Sequence, residues 1–537
     1  MNKVFIQLLK ARGLSPSFLH PQYQDLCDPF VLRDMQKAIS RLEVAIKNHE
    51  KILIYGDYDV DGVTASTVME QALLLAGVRP TDITIMLPDR FADGYGMSPK
   101  LIECAKKTGA TLVVTVDCGS LNHAIIDELN FLKIDSIVTD HHETTDQMPA
   151  AIAVINPHRK DAPTPALQHL AGVGVAFKAV QALVQAGLVP SGQEKWLLDL
   201  VLIGTICDNM PLTGENRILG FYGLKVLAKT RRPGLKELMA RAGVKKLHAE
   251  AIGFQIGPRL NAAGRLDTAE LSLNLLRTSS AADAAALANQ LEELNKKRKT
   301  EQISAIREIE KRGVGQDPVI IETGNWHEGV LGIVAGRLVE TYHKPAFVLT
   351  HTKEGILKGS GRSFGDFNLA EALSHVKTSL LSGGGHAAAA GVKLDQAKLY
   401  QFREQINAYY DSLGLKNQER FLTPQPDLAT ESLADFDLDF LKDLELLEPF
   451  GAGNAEPLFC LKNVEILESR KMGSDSQHLR LDIKDQGGKT MKLVAFFAPD
   501  DWLKLEPGEI LDIVVRITDN EWNGHRSVEG RIVDVLH

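Results

Sequence analysis

The sequence predicts a multi-domain α/β protein: a parallel-sheet domain, a helical connector, a second α/β domain and a small C-terminal β-barrel. Three observations predict it. Residues 51–210 alternate short β-branched apolar runs with helical patterns, the signature of βαβ units. Residues 279–312 are rich in Ala, Leu, Glu and Lys and hold no Gly or Pro until Gly313, which suits one long exposed helix. The C-terminal part holds five short strand-like runs divided by turns, the spacing of a small barrel. At about 100–200 residues per domain, 537 residues predict three or four such units.

After an N-terminal segment (1–50), the first domain takes 51–215. Its strands are KILIYG, ITIMLP, TLVVTVD, DSIVTD and AIAVINP, with helices such as TASTVMEQALLLAG and LNHAIIDELNFL between them. Ligands of parallel sheets gather at the carboxyl ends of the strands, so the polar residues just after each strand matter most. Residues 216–315 read as the helical connector. Its basic run Lys296–Lys299 is either a solvated face or an edge that tracks phosphates. The second α/β domain, 316–425, runs through strand PVIIETG, helix VLGIVAGRLVETY, strand PAFVLT, and the glycine-rich KGSGRS and SGGGHAAAAG. QPDLATESLADF reads as a linker. The barrel, 430–537, fits an OB-fold.

Composition narrows the function classes. Apolar residues at 44% and charged residues at 24% exclude wholesale disorder and fibrous repeats. A net charge of −9 excludes a basic coat but not a local basic groove. Five scattered cysteines without a CxxC pair favour a reducing compartment over disulfides or a cysteine zinc site. The N-terminus shows no signal-peptide pattern. The most apolar window, AGVGVAFKAVQALVQAGLVP, contains Lys178 and reads as a core helix rather than a membrane span. The expected location is cytoplasmic, with no membrane partner.

The strongest local signal is YGDYDVDG. Asp57, Asp59 and Asp61 follow a strand at alternate positions, and carboxylates this close repel unless a cation neutralises them. An EF-hand loop matches the first six positions but needs Glu at the twelfth, where Val68 stands. Asp117 ends the next strand of interest, Asp140, His141 and His142 end the one after, and the apolar run LLDLVLIGTICDNMPL delivers Asp208. A lone Asp or His is usually a cap or a satisfied polar group; several presented at one end of one sheet are not so easily dismissed. Carboxylate and imidazole without thiolate select manganese or magnesium. The ligands exceed what one open site needs, so two divalent metal ions, Mn2+ or Mg2+, about 3.5–4 Å apart and sharing a carboxylate, are expected.

Other motifs are weaker. KGSGRS offers Ser360, Arg362 and two glycines: either a tight turn, or backbone amides and a guanidinium fork around a phosphate. Arg90 in PDRFADGYG and Arg265 in GPRLNAAGR are further candidates for that grip. SGGGHAAAAG is either a glycine loop entering a packed helix or a cradle placing His386 near substrate. AGVGVAF lacks the third glycine of a dinucleotide fingerprint. In the barrel, Phe450, Phe459, Phe496, Phe497 and Trp522 stand among Lys471, Arg480, Lys492 and Arg516. Most of these aromatics are expected in the core; Trp522 is the best exposed stacking candidate.

GDYDVDG, TVDCG, TDHHE and GTICDNMPL, in that order, resemble the four motifs of the DHH phosphoesterase superfamily. KGSGRS and SGGGHAAAAG resemble its associated domain, and GPRLNAAGR with the barrel resembles the branch of single-stranded-DNA-specific exonucleases. The resemblance implies that Asp59 holds the first metal, with Asp57 supporting it. It implies that Asp117 bridges, and that Asp61, His141 and Asp208 complete the second site. Other branches place a His four residues before Asp59; Tyr55 stands here. Asp140 is then expected to fix an imidazole, His142 to meet the scissile phosphate or the leaving group, and KGSGRS to bind a terminal phosphate. The implied activity is 5′→3′ hydrolysis of single-stranded DNA to mononucleotides in recombination and repair, with single-strand-binding protein and a helicase as partners. Two alternatives stand beside it: a phosphodiesterase for short oligonucleotides or cyclic dinucleotides, and a non-catalytic replication scaffold.

Overall fold

The apolar runs after Lys51 form the parallel sheet that their alternation predicts. The structure, a computed structural model, describes every residue but Tyr95, Lys416, Asn417, Ser474, Asn523, Gly524 and His537, with Glu419 and Trp522 described by backbone alone. The strands are β1 (Ile52–Tyr55), β2 (Ile83–Met86), β3 (Leu112–Val116), β4 (Asp135–Thr139) and β5 (Ala153–Ile155), in the order β2-β1-β3-β4-β5. Every adjacent pair is parallel. Side chains alternate between two cores. Ile52, Ile54 and Val114 join the helices Met35–Lys47, Val60–Leu75 and Gly172–Gln185, whereas Leu53, Tyr55 and Val113 meet Lys100–Thr108 and His123–Phe131. The run that delivers Asp208 is a helix, Leu198–Cys207, apolar on all sides because it is buried on all sides. Lys178 lies fully buried in Gly172–Gln185, paired with Glu215. Among the described residues, no helix is long and apolar enough to cross a membrane.

The connector is a set of helices, among them Gly214–Leu227, Pro233–Ala242, Gly257–Leu266 and Glu270–Arg277, that ends in the long helix Ala281–Arg312, about 48 Å long at 1.5 Å per residue. The first half of that helix buries Ala288 and Leu291 in the parallel-sheet core, and its second half buries Ala305 and Ile309 against the second domain. That domain is built on β6 (Ile320–Gly324), β7 (Ala346–His351), β8 (Ile356–Arg362), β9 (Ser382–Gly385) and β10 (Ala389–Asp395), ordered β6-β7-β8-β10-β9.

Two readings are corrected here. KGSGRS is neither a turn nor an amide cradle but the end of β8, paired on both sides with β7 and β10. Its glycines serve close packing: a Cβ on Gly361 would lie 2.5 Å from the Phe347 ring, and one on Gly359 2.6 Å from the Val348 carbonyl. SGGGHAAAAG enters no helix; it is the β9–β10 hairpin, with His386 at its turn.

The barrel comprises β12 (Phe459–Met472), β13 (His478–Lys484), β14 (Thr490–Ala495), β15 (Ile510–Trp522) and β16 (His525–Leu536), closed by pairing of β12 with β15. The expected linker is ordered: β11 (Leu428–Thr430) pairs with β12, and Asp427 binds Arg12 and the Leu458 amide. Residues 1–50 divide between two cores. Val4, Phe5 and Leu8 pack into the barrel core, and Ala38, Ile39 and Leu42 pack under the parallel sheet.

Candidate metal centre and phosphate grip

Backbone geometry aims the carboxylates at one point. Asp59 caps the helix Val60–Leu75, its Oδ1 accepting from the amides of Asp61 (2.9 Å) and Gly62 (3.1 Å). Asp61, in the first turn, accepts from the amides of Gly172 (2.6 Å) and Val173 (2.9 Å) at the start of another helix. Asp117 follows β3 in the left-handed region, at φ 61°. Asp208 caps the end of Leu198–Cys207. Asp57, Asp59 and Asp117 form one group whose oxygens lie within 4.8 Å of one another; Asp61, His141 and Asp208 form a second. His141 Nε2 lies 3.1 Å from Asp117 Oδ1, 3.7 Å from Asp208 Oδ2 and 3.8 Å from Asp61 Oδ2. Asp117 thereby adjoins both groups.

These residues fit divalent cations. Asp57 Oδ1 and Asp117 Oδ1 are buried without a hydrogen bond. His141 Nε2 stands 3.1 Å from Asp117 Oδ1, so a cation between them could take a ligand from each. Burial and the neighbouring carboxylates push Asp57 and Asp208 up to about 8 and Asp61 to about 7, and raise Asp117 well above the usual range. Burial, with the His142 charge, pushes His141 down to about 3.

A stability prediction follows. Unfolded aspartates titrate near 3.9, so between about pH 4 and 8 the metal-free folded state binds more protons than the unfolded state, and stability falls as pH rises. Chelator-treated protein should therefore melt lower at pH 8 than at pH 6, by about 2–4 °C per kcal/mol for a domain of this size. Added Mn2+ should raise Tm more at pH 8 than at pH 6. A chelated protein that melts higher at pH 8 contradicts the clustering.

Asp140 stands behind this cluster. It accepts from the amides of Ser120 (2.9 Å), His141 (2.8 Å) and His142 (3.2 Å), and its Oδ1 lies 2.8 Å from His142 Nδ1. Although burial opposes it, the bond to His142 holds Asp140 below the usual range. Against the same opposition, Asp140 raises His142 to about 9.

The residues expected to grip a phosphate come together near Asp57 and Asp59: Arg90 and Arg362 act on Arg265, as does Asp59, and Arg90 acts on Asp57. Arg90 lies over the Tyr58 ring at 5.1 Å. Arg265 donates to the Gly329 carbonyl at 3.3 Å. Arg362 bonds Ser360 Oγ at 3.0 Å, and both face Gly332 in the first turn of the helix Leu331–Tyr342. Two glycines allow this approach. A Cβ on Gly264 would lie 2.7 Å from the Tyr58 carbonyl, and one on Gly329 would strike the Arg265 backbone. Burial, then Arg90, Arg298 and Arg362, push Arg265 down to about 9. Burial and Arg90 lower Arg362.

His386 is exposed at its hairpin turn, three residues from Ala389, the partner of Arg362 across the strands. Trp522 ends β15, and its side chain lies outside the described residues. Phe450 and Phe459 pack in or against the barrel core, whereas Phe496 and Phe497 are exposed, Phe497 at 75%. A cavity of about 940 Å³ runs from Cys207 and Asn209, on either side of Asp208, past Arg265 to Arg516 and Arg531 on the barrel. Sequence reasoning missed the role of Gly172, considered only within a core-helix window and a rejected nucleotide motif. It also missed the inward turn of Arg298.

Family models match three stretches: the DHH family, N-terminal domain, at 51–205; the DHHA1 domain at 316–412; and the RecJ OB domain at 429–534. The chain is 35% identical to the single-stranded-DNA-specific exonuclease RecJ of Bacillus subtilis, covering 98% of this chain and 67% of that protein. It is 35% identical to the Escherichia coli protein of the same name, covering 93% and 89%. A crystal structure of RecJ in complex with Mn2+ from Thermus thermophilus superposes with a TM-score of 0.83 at 30% identity, covering all of this chain and 76% of that one. A Mg2+ complex superposes at 0.78 and 29% identity, covering all of this chain and 75% of that one.

Proposed function

The chain belongs to the RecJ family of single-stranded-DNA-specific exonucleases, and from that premise we infer that it hydrolyses single-stranded DNA from the 5′ end, releasing mononucleotides in recombination and repair. The observation that carries this reading is one continuous path. Arg90, Arg265 and Arg362, which form no ion pair with a carboxylate among the described residues, lie close to one another near the paired carboxylate cluster, and a cavity lined by Arg265 and by the neighbours of Asp208 runs on to the OB barrel.

Asp57, Asp59 and Asp117 would hold one divalent ion, Mn2+ or Mg2+, and Asp61, Asp117, His141 and Asp208 the other. When bound, the ions supply the charge that lowers the proton affinity of a water and offsets charge developing on the phosphoryl oxygens. Arg90, Arg265, Ser360 and Arg362 hold the terminal phosphate, which fixes one nucleotide between grip and cluster. The rest of the strand leaves through the cavity. His142, kept protonated by Asp140, donates to a phosphoryl or leaving oxygen.

Asp140 is a positioning residue. Asp140→Asn should lower kcat about 10–100-fold. It should also move the alkaline limb of the pH–rate profile to lower pH, because His142 loses the partner that raises it. A lower rate with an unmoved limb would leave Asp140 a purely structural role.

A barrel and a cavity of this size are more than a dinucleotide needs, and a scaffold would have no use for the full ligand set. Five cysteines, all free, support a cytoplasmic setting. An enzyme that starts at an unpaired end suits a helicase that exposes one and a single-strand-binding protein that keeps it open. The deciding experiment digests 5′- and 3′-labelled single strands with Mn2+, Mg2+ or chelator. Early release of the 5′ label as a mononucleotide, abolished by chelator, is expected; early loss of the 3′ label, or indifference to chelator, overturns the reading.

A further inference from the structure

The basic run of the connector is divided by the helix that carries it. Lys296, Lys297 and Lys299 are exposed, and Lys296 pairs with Glu293 at 2.8 Å. Arg298 turns inward and is 9% exposed. Among the described residues it forms no ion pair with a carboxylate, and its Nε is buried without a hydrogen-bond partner. Glu292, on the same helix, is already engaged, pairing with Arg259 at 2.6 Å. The charges that reach Arg298 are of its own sign. Arg259 joins burial in lowering its pKa, and Arg298 in turn presses on Arg265. One turn back on the same face, Asn295 is 1% exposed with both amide atoms unpartnered.

A buried cation without counter-charge is strongly destabilising, so a fold that keeps one needs an anion to complete it. Arg298 lines the cavity together with Asn261 and Arg265. That cavity shares Arg265 with the grip but is not lined by Arg90, Ser360 or Arg362, and it runs on to Arg516 and Arg531 of the barrel, so the anion reaching Arg298 lies beyond the terminal phosphate. We propose that Arg298 clamps an internal phosphodiester of the bound single strand, on the 3′ side of the bond being cut, and so holds the strand in register between cleavages. A guanidinium fork can meet two phosphate oxygens at once, which an ammonium cannot. The proposal rests on the exonuclease reading and names a further binding residue for it.

The test uses the full-length protein and 5′-phosphorylated strands bearing one neutral methylphosphonate, moved stepwise along the chain. Wild type should show a KM increase of about tenfold at one internal position, the loss of one charged hydrogen bond. Arg298→Met should raise KM on the all-phosphate strand by a similar factor with kcat within about twofold, and should show no further penalty at that position. Arg298→Lys should recover part of the loss. Arg298→Met should also melt no lower than wild type, since it removes an unpaired buried charge. An unaltered KM in Arg298→Met, or a methylphosphonate profile identical to wild type, overturns the proposal. A wild-type protein inactive on every strand overturns the exonuclease reading, and the clamp with it.

Discussion

Asp117→Asn is expected to lower single-strand hydrolysis by at least about 10³-fold, because on the proposed reading this one carboxylate would serve both cations. The same change should stabilise chelator-treated protein above neutral pH by about 1–3 kcal/mol, since it removes a charge that burial and four neighbouring aspartates oppose. Asparagine is the informative substitution. Asp117 stands at φ 61°, a conformation that Asn adopts readily and Ala does not, so the backbone is left undisturbed. The two effects have opposite signs, which separates the cation role from general damage. A variant that loses activity and also melts lower in chelator would indicate misfolding. A variant with wild-type rate would remove Asp117 from the centre of the site. The Mn2+-dependent rise in Tm should shrink in the same variant, with differential scanning calorimetry as the check.

Much of this centre was legible because parallel sheets place polar residues at the carboxyl ends of their strands, and Asp57, Asp59, Asp117, Asp140 and His141 all stand there. Asp208 was legible by type but not by setting: an apolar run buried on every side carries no periodicity to tell strand from helix. The glycines of KGSGRS were misread for a different reason. Glycine serves amide exposure and close packing equally, and only the Phe347 ring and the Val348 carbonyl opposite decide between them. Arg298 could not be told from its lysine neighbours until the long helix's face toward the Gly257–Leu266 helix was fixed. In each case the missing information was what lies opposite in space, not what lies adjacent in the chain.

Gly172 shows the same limit most sharply, and Gly172→Ala should be a severely damaging single-methyl change in the catalytic domain. A Cβ there would lie 2.5 Å from the Asp117 Cβ and 2.6 Å from its Cγ. Asp117 has no room to retreat: its amide bonds the Thr139 carbonyl at 2.9 Å, and His141 stands 3.1 Å from its carboxylate. The helix start could withdraw instead, but that breaks the amide bonds from Gly172 and Val173 that orient Asp61. Relief therefore displaces a carboxylate from one cation group or the other. The expected result is about 1–3 kcal/mol of destabilisation from overpacking. Activity should fall by at least about 10²-fold, as for one missing transition-state contact. Gly174→Ala, in the same helix, is the control. The three atoms nearest its Cβ would all belong to the Leu170 side chain, the closest its Cδ2 at 3.0 Å, which can yield, and alanine gains up to about 1 kcal/mol of helix propensity. Melting curves and single-strand hydrolysis should show Gly174→Ala near wild type and Gly172→Ala crippled. Equal behaviour of the two would mean that the approach of the helix to Asp117 does not shape the site.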